Sequence, residues 1–115
     1  MPLPAAAKTL VEKKLAAYLG EKVPLHVADK IRISYTFRGI SVTIWEHRSP
    51  LTKSLPEWST ITVAQLRYNP KAQTWMLYWS DRNNRWHEDE GLAPVKNLDL
   101  ILAELDRDPT GIYWC

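Results

Sequence analysis

The chain has 115 residues, of which 45% are hydrophobic and 24% are charged. This composition is typical of a globular protein and excludes a disordered one. The length allows one domain, residues 1–115, and excludes two separately packed cores. The net charge of +2 is too small to argue by itself for nucleic acid, and the single cysteine, Cys115, excludes an intrachain disulfide.

The sequence does not begin with a charged segment followed by an apolar run, as a secretory signal would. No apolar run approaches the roughly 20 residues that a membrane helix needs. These features predict a cytoplasmic protein that has no membrane partner.

The first predicted element is a helix over residues 5–19, because apolar residues recur there every three or four positions. Gly20 follows the last of them and is predicted to end the helix. The lysines on this helix also suggest a membrane-surface or partner helix, but the narrow apolar stripe favours packing against a core. The stripe consists of Leu10, Val11, Leu15, Tyr18 and Leu19.

Residues 31–37 and 40–46 alternate strictly between apolar and polar side chains, which predicts two half-buried strands. Gly39 can adopt a positive φ, so a two-residue loop at 38–39 predicts a hairpin. Both strands then agree on which face is apolar. The predicted cross-strand pairs are Phe37 with Ile40, Tyr35 with Val42, and Ile33 with Ile44.

Three further strands are predicted after a loop at 48–57 that is marked by two prolines. The first, at about 58–68, changes phase, and a bulge near 64–65 would restore the alternation. The other two strands are predicted at 74–80 and 85–89.

The last two strands carry three tryptophans, so their register decides which of them face the core. A loop centred on 82–83 would place Trp79 opposite Trp86 and Tyr78 opposite His87. In that register the tryptophans share the apolar face, and Tyr78 and His87 point to the other side.

Residues 98–106 are predicted to form a second helix that carries a stripe of leucines and isoleucine. Asn97 is its predicted N-cap, and Asp99 in the first turn suits the helix dipole. Tyr113 and Trp114 are predicted to fold back onto the core. The element order predicts an α+β, two-layer fold: a five-stranded antiparallel meander with the N- and C-terminal helices on one face.

An aromatic strand at Trp75–Trp79, the Arg85-Trp86-His87 segment, a Leu-rich helix and the closing Asp108–Trp114 segment occur in this order. This pattern resembles a family of small bacterial proteins of unknown function. The resemblance extends over most of the chain and implies no known chemistry.

No pattern in the sequence predicts an enzyme, a metal site or a cofactor. The pairs Glu46-His47 and His87-Glu88 do not match an established metal-binding spacing. Cys115 lies at the end of the sequence, where no base or oxyanion pocket is implied for a nucleophile.

The predicted helices cover only one face of the sheet, so the second face is the candidate binding site. Its residue types, Trp, Tyr and Arg, are enriched at interfaces. Three readings remain open: self-association or a protein partner, which is favoured; a stacking surface for single-stranded RNA or DNA; or a second small core covered by loops. The predicted binding residues are Arg32, Trp45, Trp58, Tyr78, Arg85 and His87.

Overall fold

The structure is a computed structural model that describes residues 3–22, 31–49, 58–108 and 113. The described elements form a single antiparallel sheet with the strand order β1-β2-β3-β4-β5 and two helices, which confirms the predicted α+β fold. The elements in chain order are α1 (Ala5–Lys22), β1 (Ile31–Arg38), β2 (Ser41–Arg48), β3 (Ser59–Asn69), β4 (Thr74–Ser80), β5 (Trp86–Glu88) and α2 (Leu98–Arg107).

Both helices pack on the same face of the sheet, as predicted. Their buried side chains join one hydrophobic cluster with the central strands. A Lys14–Asp99 ion pair, with an N–O distance of 2.9 Å, also links the two helices to each other. The cluster includes Val11, Leu15 and Leu19 from α1, Ile101 and Leu105 from α2, and Val42, Ile44, Leu66, Trp75 and Leu77 from the sheet.

Helix α1 differs from its prediction at two positions. It continues through Gly20 to Lys22, so Gly20 does not end it. Leu10 is 42% exposed, whereas Val11 is fully buried, so the core-facing stripe is narrower than the sequence suggested. A helix packed on a sheet is held by its tertiary contacts, which override the weak tendency of one glycine to end it.

The β1–β2 hairpin has the predicted faces but a different register. Phe37 pairs with Val42 and Tyr35 with Ile44, and the turn is at residues 39–40, with Gly39 at a φ of 57°. The predicted pairs are wrong by two residues. Since side chains alternate with a period of two, a shift of two leaves every side chain on its predicted face.

Strand β3 contains the predicted bulge, one residue before the expected site. Ile44 pairs with Ala64 while Trp45 pairs with Thr62, so Val63 is the extra residue. Val63 and Ala64 are both buried as a result, which a regular strand does not allow.

The predicted β4–β5 register is wrong by one residue. Trp79 pairs with His87, and Ser80 pairs with Trp86. The connection is a five-residue loop at 81–85, in which Asn84 has a φ of 61°. A shift of one exchanges the faces of β5, so Trp86 leaves the core side and His87 joins it.

Helix α2 begins as predicted. The Asn97 side chain accepts a hydrogen bond from the Asp99 backbone N–H, with an N–O distance of 3.0 Å. It ends at Asp108, which has a left-handed φ of 37° and whose N–H donates to the Glu104 carbonyl. Tyr113 is buried, as predicted, whereas the loop at 50–57, Trp114 and Cys115 lie outside the described residues.

Candidate functional site: the helix-free face of the sheet

The candidate site is the sheet face that neither described helix covers, here called the helix-free face. Its members follow from strand alternation and from the pairing of directly opposite residues, which point to the same side. The helix-free face consists of Arg32, Ser34, Thr36, Arg38, Ser41, Thr43, Trp45, His47, Thr60, Thr62, Gln65, Arg67, Met76, Tyr78, Ser80, Trp86 and Glu88.

His47 lies between two hydroxyl groups near one end of this face. Its Nε2 is 2.8 Å from Ser34 Oγ, and its Nδ1 is 2.9 Å from Thr60 Oγ1. Strand pairing places these residues on three adjacent strands, since Ser34 is in β1 and Thr60 is directly opposite His47. The imidazole is therefore held in one orientation by partners that can donate or accept hydrogen bonds.

The middle of the face is a network of polar side chains. Thr62 Oγ1 and Ser80 Oγ are 2.6 Å apart, and Gln65 donates to Thr43 Oγ1 at 3.0 Å. Arg67 Nε in turn donates to Gln65 Oε1 at 2.6 Å. These bonds fix the short side chains and create a polar floor between strands β2 and β4.

Aromatic rings lie at several points around this floor. Trp45 Nε1 donates to Thr36 Oγ1 at 2.9 Å, which fixes the indole above β1. The Arg67 guanidinium lies 3.9 Å from the centre of the Tyr78 ring. This short distance indicates a cation–π contact that orients both groups.

Two tryptophans are aligned across the strands on this face. Trp45 pairs with Thr62 and Trp86 with Ser80, and the Thr62 and Ser80 hydroxyls contact each other. Three strand spacings separate the backbones that carry the two indoles, which corresponds to about 14 Å. The row therefore presents two flat apolar surfaces with two hydroxyl groups between them.

This row crosses an open depression with a volume of about 1270 Å³. Thr43, Thr62 and Gln65 line its floor, while Arg38 and Arg82 line it from the β1–β2 turn and the β4–β5 loop. A concave surface of this kind, with rings and fixed polar groups, is suited to binding an extended ligand.

The charge of the helix-free face is predominantly positive. It carries Arg32, Arg38 and Arg67, while Glu88 is its one carboxylate among the described residues. None of these three arginines lies within ion-pair distance of a carboxylate in the part of the chain that the structure describes. Their charges are therefore not neutralised by described neighbours.

Asp81 is an acidic residue at the edge of the depression, and its carboxylate already makes hydrogen bonds within the protein. Its carboxylate contacts His87 Nε2 at 2.8 Å and accepts hydrogen bonds from the backbone of Asn83 and Arg85. The hydrogen bond from His87, followed by those from the backbone, lowers the pKa of Asp81 from 3.8 to about 2. Asp81 thus closes the loop between β4 and β5.

Four of the six predicted site residues lie on or beside the helix-free face. Arg32, Trp45 and Tyr78 are on this face, and the Arg32 guanidinium lies over the Trp58 ring, 4.3 Å from its centre.

The predicted positions of the other two residues are wrong. His87 pairs with Trp79 on the helix side and stacks on that ring at 4.4 Å, and Arg85 is in the loop before β5. Both errors follow from the register shift of one residue.

Sequence reasoning missed Arg67 and Trp86. Arg67 could have been predicted from the sequence, because it lies between two apolar residues of the same strand, Leu66 and Tyr68. The position of Trp86 on this face could not have been predicted, because the face of β5 on which it lies depends on the length of the loop before the strand.

No group of three or more His, Cys, Asp or Glu side chains in the described ranges is arranged to hold a metal ion. Likewise, neither helix in these ranges is long and apolar enough to cross a membrane.

The fold and the face define a two-layer α+β domain whose open sheet carries an aromatic, basic surface. The chain belongs to the family described as "Domain of unknown function (DUF3024)", whose model matches residues 3–115. Neither the curated proteins nor the solved structures include a match to this chain.

Proposed function

We propose that this protein is a non-enzymatic binding module whose helix-free face takes single-stranded RNA or DNA with little sequence preference. The observation that supports this most strongly is the combination, on one polar and hydrogen-bonded surface, of aromatic rings with arginines that pair with no carboxylate of the described residues. Single-stranded nucleic acid requires both kinds of group, since its bases stack on rings and its phosphates meet cations.

The row of Trp45, Thr62, Ser80 and Trp86 gives the bases a path across the sheet. Stacking of one base on an aromatic side chain contributes roughly 1–3 kcal/mol. Arg38, Arg67 and Arg82 surround this row and are available to phosphates on either side of it. Because stacking is tolerant of base identity, we expect weak sequence preference.

Binding, and not catalysis, is the proposed role of the His47 cluster. Both nitrogens of His47 contact hydroxyl groups, and no described carboxylate contacts the ring. A hydroxyl partner orients the imidazole but does not stabilise its charged form as a carboxylate would, so we expect no acyl-transfer activity.

Self-association, or a protein partner, on the same face is the second candidate, and the sequence by itself favours it. Phe37 and the 43% exposed Ile61 border the depression and would add apolar contact area. The centre of the face, however, is built from Thr, Ser and Gln side chains that bond each other. Homodimer interfaces are about 65% apolar, so this polar floor favours nucleic acid.

The experiment is a fluorescence titration with a single-stranded oligonucleotide at increasing salt concentration. We expect quenching of Trp emission and an affinity that falls steeply with salt, by a log–log slope of about 0.7 for each phosphate contacted. The double variant Trp45→Ala, Arg32→Ala should lower the affinity by tenfold or more, on the order of the loss of one stacked base and one phosphate contact.

Lys13→Gln is the matched control, because Lys13 is exposed on α1 and its loss changes charge away from the helix-free face. An equal loss of affinity in this variant would argue for non-specific charge attraction. Circular dichroism of the double variant separates binding from folding. If that variant unfolds, the face is a second core and the proposal is wrong.

A further inference from the structure

A second depression lies at the β1 edge of the sheet, beside the His47 cluster. It has a volume of about 760 Å³ and is lined by Arg32, Ser34, His47 and Trp58, together with apolar residues of α1 and β1. None of the described residues that line it is acidic. A concave site whose described lining contains a guanidinium and an imidazole but not a carboxylate is suited to an anion.

Arg32 and His47 are directly opposite each other on neighbouring strands. In an antiparallel pair, opposite Cβ atoms are about 5 Å apart, so a small anion bound by Arg32 also lies near the His47 ring. The central carbon of the Arg32 guanidinium lies over the Trp58 ring, 4.3 Å from its centre. A guanidinium in contact with a ring still has N–H groups in its plane, and these can bind two phosphate oxygens at once.

The partners of His47 accommodate either protonation state. The hydroxyl groups of Ser34 and Thr60 can accept a hydrogen bond from each ring nitrogen when the imidazole is protonated. Protonation therefore adds a positive charge next to Arg32 without breaking either hydrogen bond.

Among the described charged groups near His47, Arg32 opposes this charge, and a phosphate bound between the two side chains would offset the repulsion. Glu46 and Arg48, its neighbours in β2, point to the opposite face, where Arg48 Nε bonds Glu46 Oε1. From β1, Arg32 faces His47, while the residue opposite in β3 is the uncharged Thr60. Tyr35 is the remaining titratable residue among the described lining residues.

We propose that Arg32 and His47 form a phosphate subsite, in which Arg32 provides the permanent charge and protonated His47 strengthens binding. This inference rests on the proposed function and deepens it: the subsite holds one backbone or terminal phosphate of the bound strand. Bringing a second charge to the phosphate contributes about 1 kcal/mol near a surface, so affinity rises about fivefold when His47 is protonated.

Inorganic phosphate tests the subsite without an oligonucleotide. The imidazole Cε1–H signal of His47, followed by NMR during a pH titration, reports its protonation. We expect phosphate to move the midpoint of this titration to higher pH in the wild type, and the effect to disappear in Arg32→Gln. His87, which stacks on Trp79 on the helix side, serves as the internal control, and its signal should not respond.

The oligonucleotide measurement then separates the subsite from the wider proposal. Binding should strengthen about fivefold when the pH is lowered far enough to protonate His47, and His47→Gln, whose amide can still bond both hydroxyls, should lose this dependence. Arg82→Gln is the matched control, since it removes a charge from the other depression and should keep the pH dependence.

Each outcome decides a different claim. An oligonucleotide that binds with the same pH profile in wild type and His47→Gln, while phosphate leaves the His47 signal unchanged, overturns the subsite and leaves the proposed function standing. A phosphate response without oligonucleotide binding supports the subsite and overturns the proposed function, and then points to a smaller phosphate ligand. Absence of both responses overturns both.

Discussion

The Tyr113 side chain joins the end of the chain to the loop after β5. Tyr113 is 3% exposed, and its hydroxyl donates to Asp89 Oδ2 at 2.8 Å. Burial, followed by the hydrogen bond to Asp89, raises the pKa of the Tyr113 phenol well above its usual range, so the phenol stays protonated and keeps donating. A charge-assisted hydrogen bond in such a place contributes to stability.

We expect Tyr113→Phe to lower the free energy of unfolding by about 1–2 kcal/mol, because the Asp89 carboxylate loses its donor while the ring still fills the same space. Urea denaturation measures this. Tyr78→Phe is the control: the Tyr78 hydroxyl is 3.5 Å from Glu88 at an exposed position, and its loss should change little. Equal effects in the two variants would contradict a stabilising role for the Tyr113 bond.

The Asp81 carboxylate makes the stability of the β4–β5 loop depend on pH. Folding depresses the pKa of Asp81 from 3.8 to about 2, because the bonds from His87 and the backbone favour the ionised form. A carboxyl group with a depressed pKa contributes stability at pH values above its unfolded pKa, and this contribution is lost as pH falls through the folded value.

Asp81→Asn should therefore destabilise the protein above pH 4, and the difference from wild type should shrink between pH 4 and pH 2. Thermal unfolding at closely spaced pH values measures the difference. If the difference in stability between the two proteins stays constant over this range, the charge of Asp81 does not stabilise the loop.

Two glycines in different elements are expected to change the stability in opposite directions when they are replaced by alanine. Gly20 is inside helix α1, and an added Cβ there would meet no atom within 4 Å. Gly39 has a φ of 57° in the β1–β2 turn, where a side chain is strained.

Gly20→Ala should raise the free energy of unfolding by up to about 1 kcal/mol, because alanine has the higher helix propensity. Gly39→Ala should lower it by about 1 kcal/mol or more. Denaturant unfolding of the two variants and the wild type measures both changes in the free energy of unfolding. Destabilisation by Gly20→Ala would place the end of α1 at Gly20, as the sequence suggested.

The register of β4 and β5 can be tested through Trp79. His87 stacks on Trp79 with ring centroids 4.4 Å apart and planes at 24°. A protonated imidazole quenches a neighbouring indole, so part of the Trp emission should change with pH. Both Trp79→Phe and His87→Gln should remove this change. If the wild type shows no such change, the result favours the register in which Trp79 is opposite Trp86 and His87 is opposite Tyr78.

The molecule as a whole has one face that neither described helix covers and a β1 edge next to it. If single-stranded nucleic acid is the occupant of that face, the free protein should be monomeric. We expect light scattering on a sizing column to give one mass near 13.3 kDa at two concentrations and two salt concentrations. A dimer that resists high salt would indicate apolar association and favour the second candidate function.

The sequence predicted the elements of this fold well because its alternation is strong. Strands β1 and β2 place Ile33, Tyr35, Val42 and Ile44 toward the helices in either register, since the predicted and observed registers differ by an even number. The Asn97 cap was also predictable, because the capping bond is local to three residues, 97–99. Local signals of this kind need no knowledge of the rest of the chain.

The face of β5 was not predictable, because it depends on the loop and not on the strand. The Asp81 carboxylate bonds the backbone of Asn83 and Arg85, which makes a five-residue connection. One residue fewer would exchange the positions of Trp86 and His87. The side chains of β1, β2 and β4 therefore lie on the face predicted for them, and those of β5 lie on the opposite one.

The amino-acid sequence by itself determined that a five-stranded sheet would bury one face under two helices and leave an aromatic, arginine-bearing face opposite, because alternation and helical spacing are properties of consecutive residues. Only the tertiary structure decided which side chains meet there. Arg67 lies over Tyr78, and Ser34, His47 and Thr60 form one hydrogen-bonded row. These contacts join residues on different strands, and strand register, which turns and bulges set, is what brings them together.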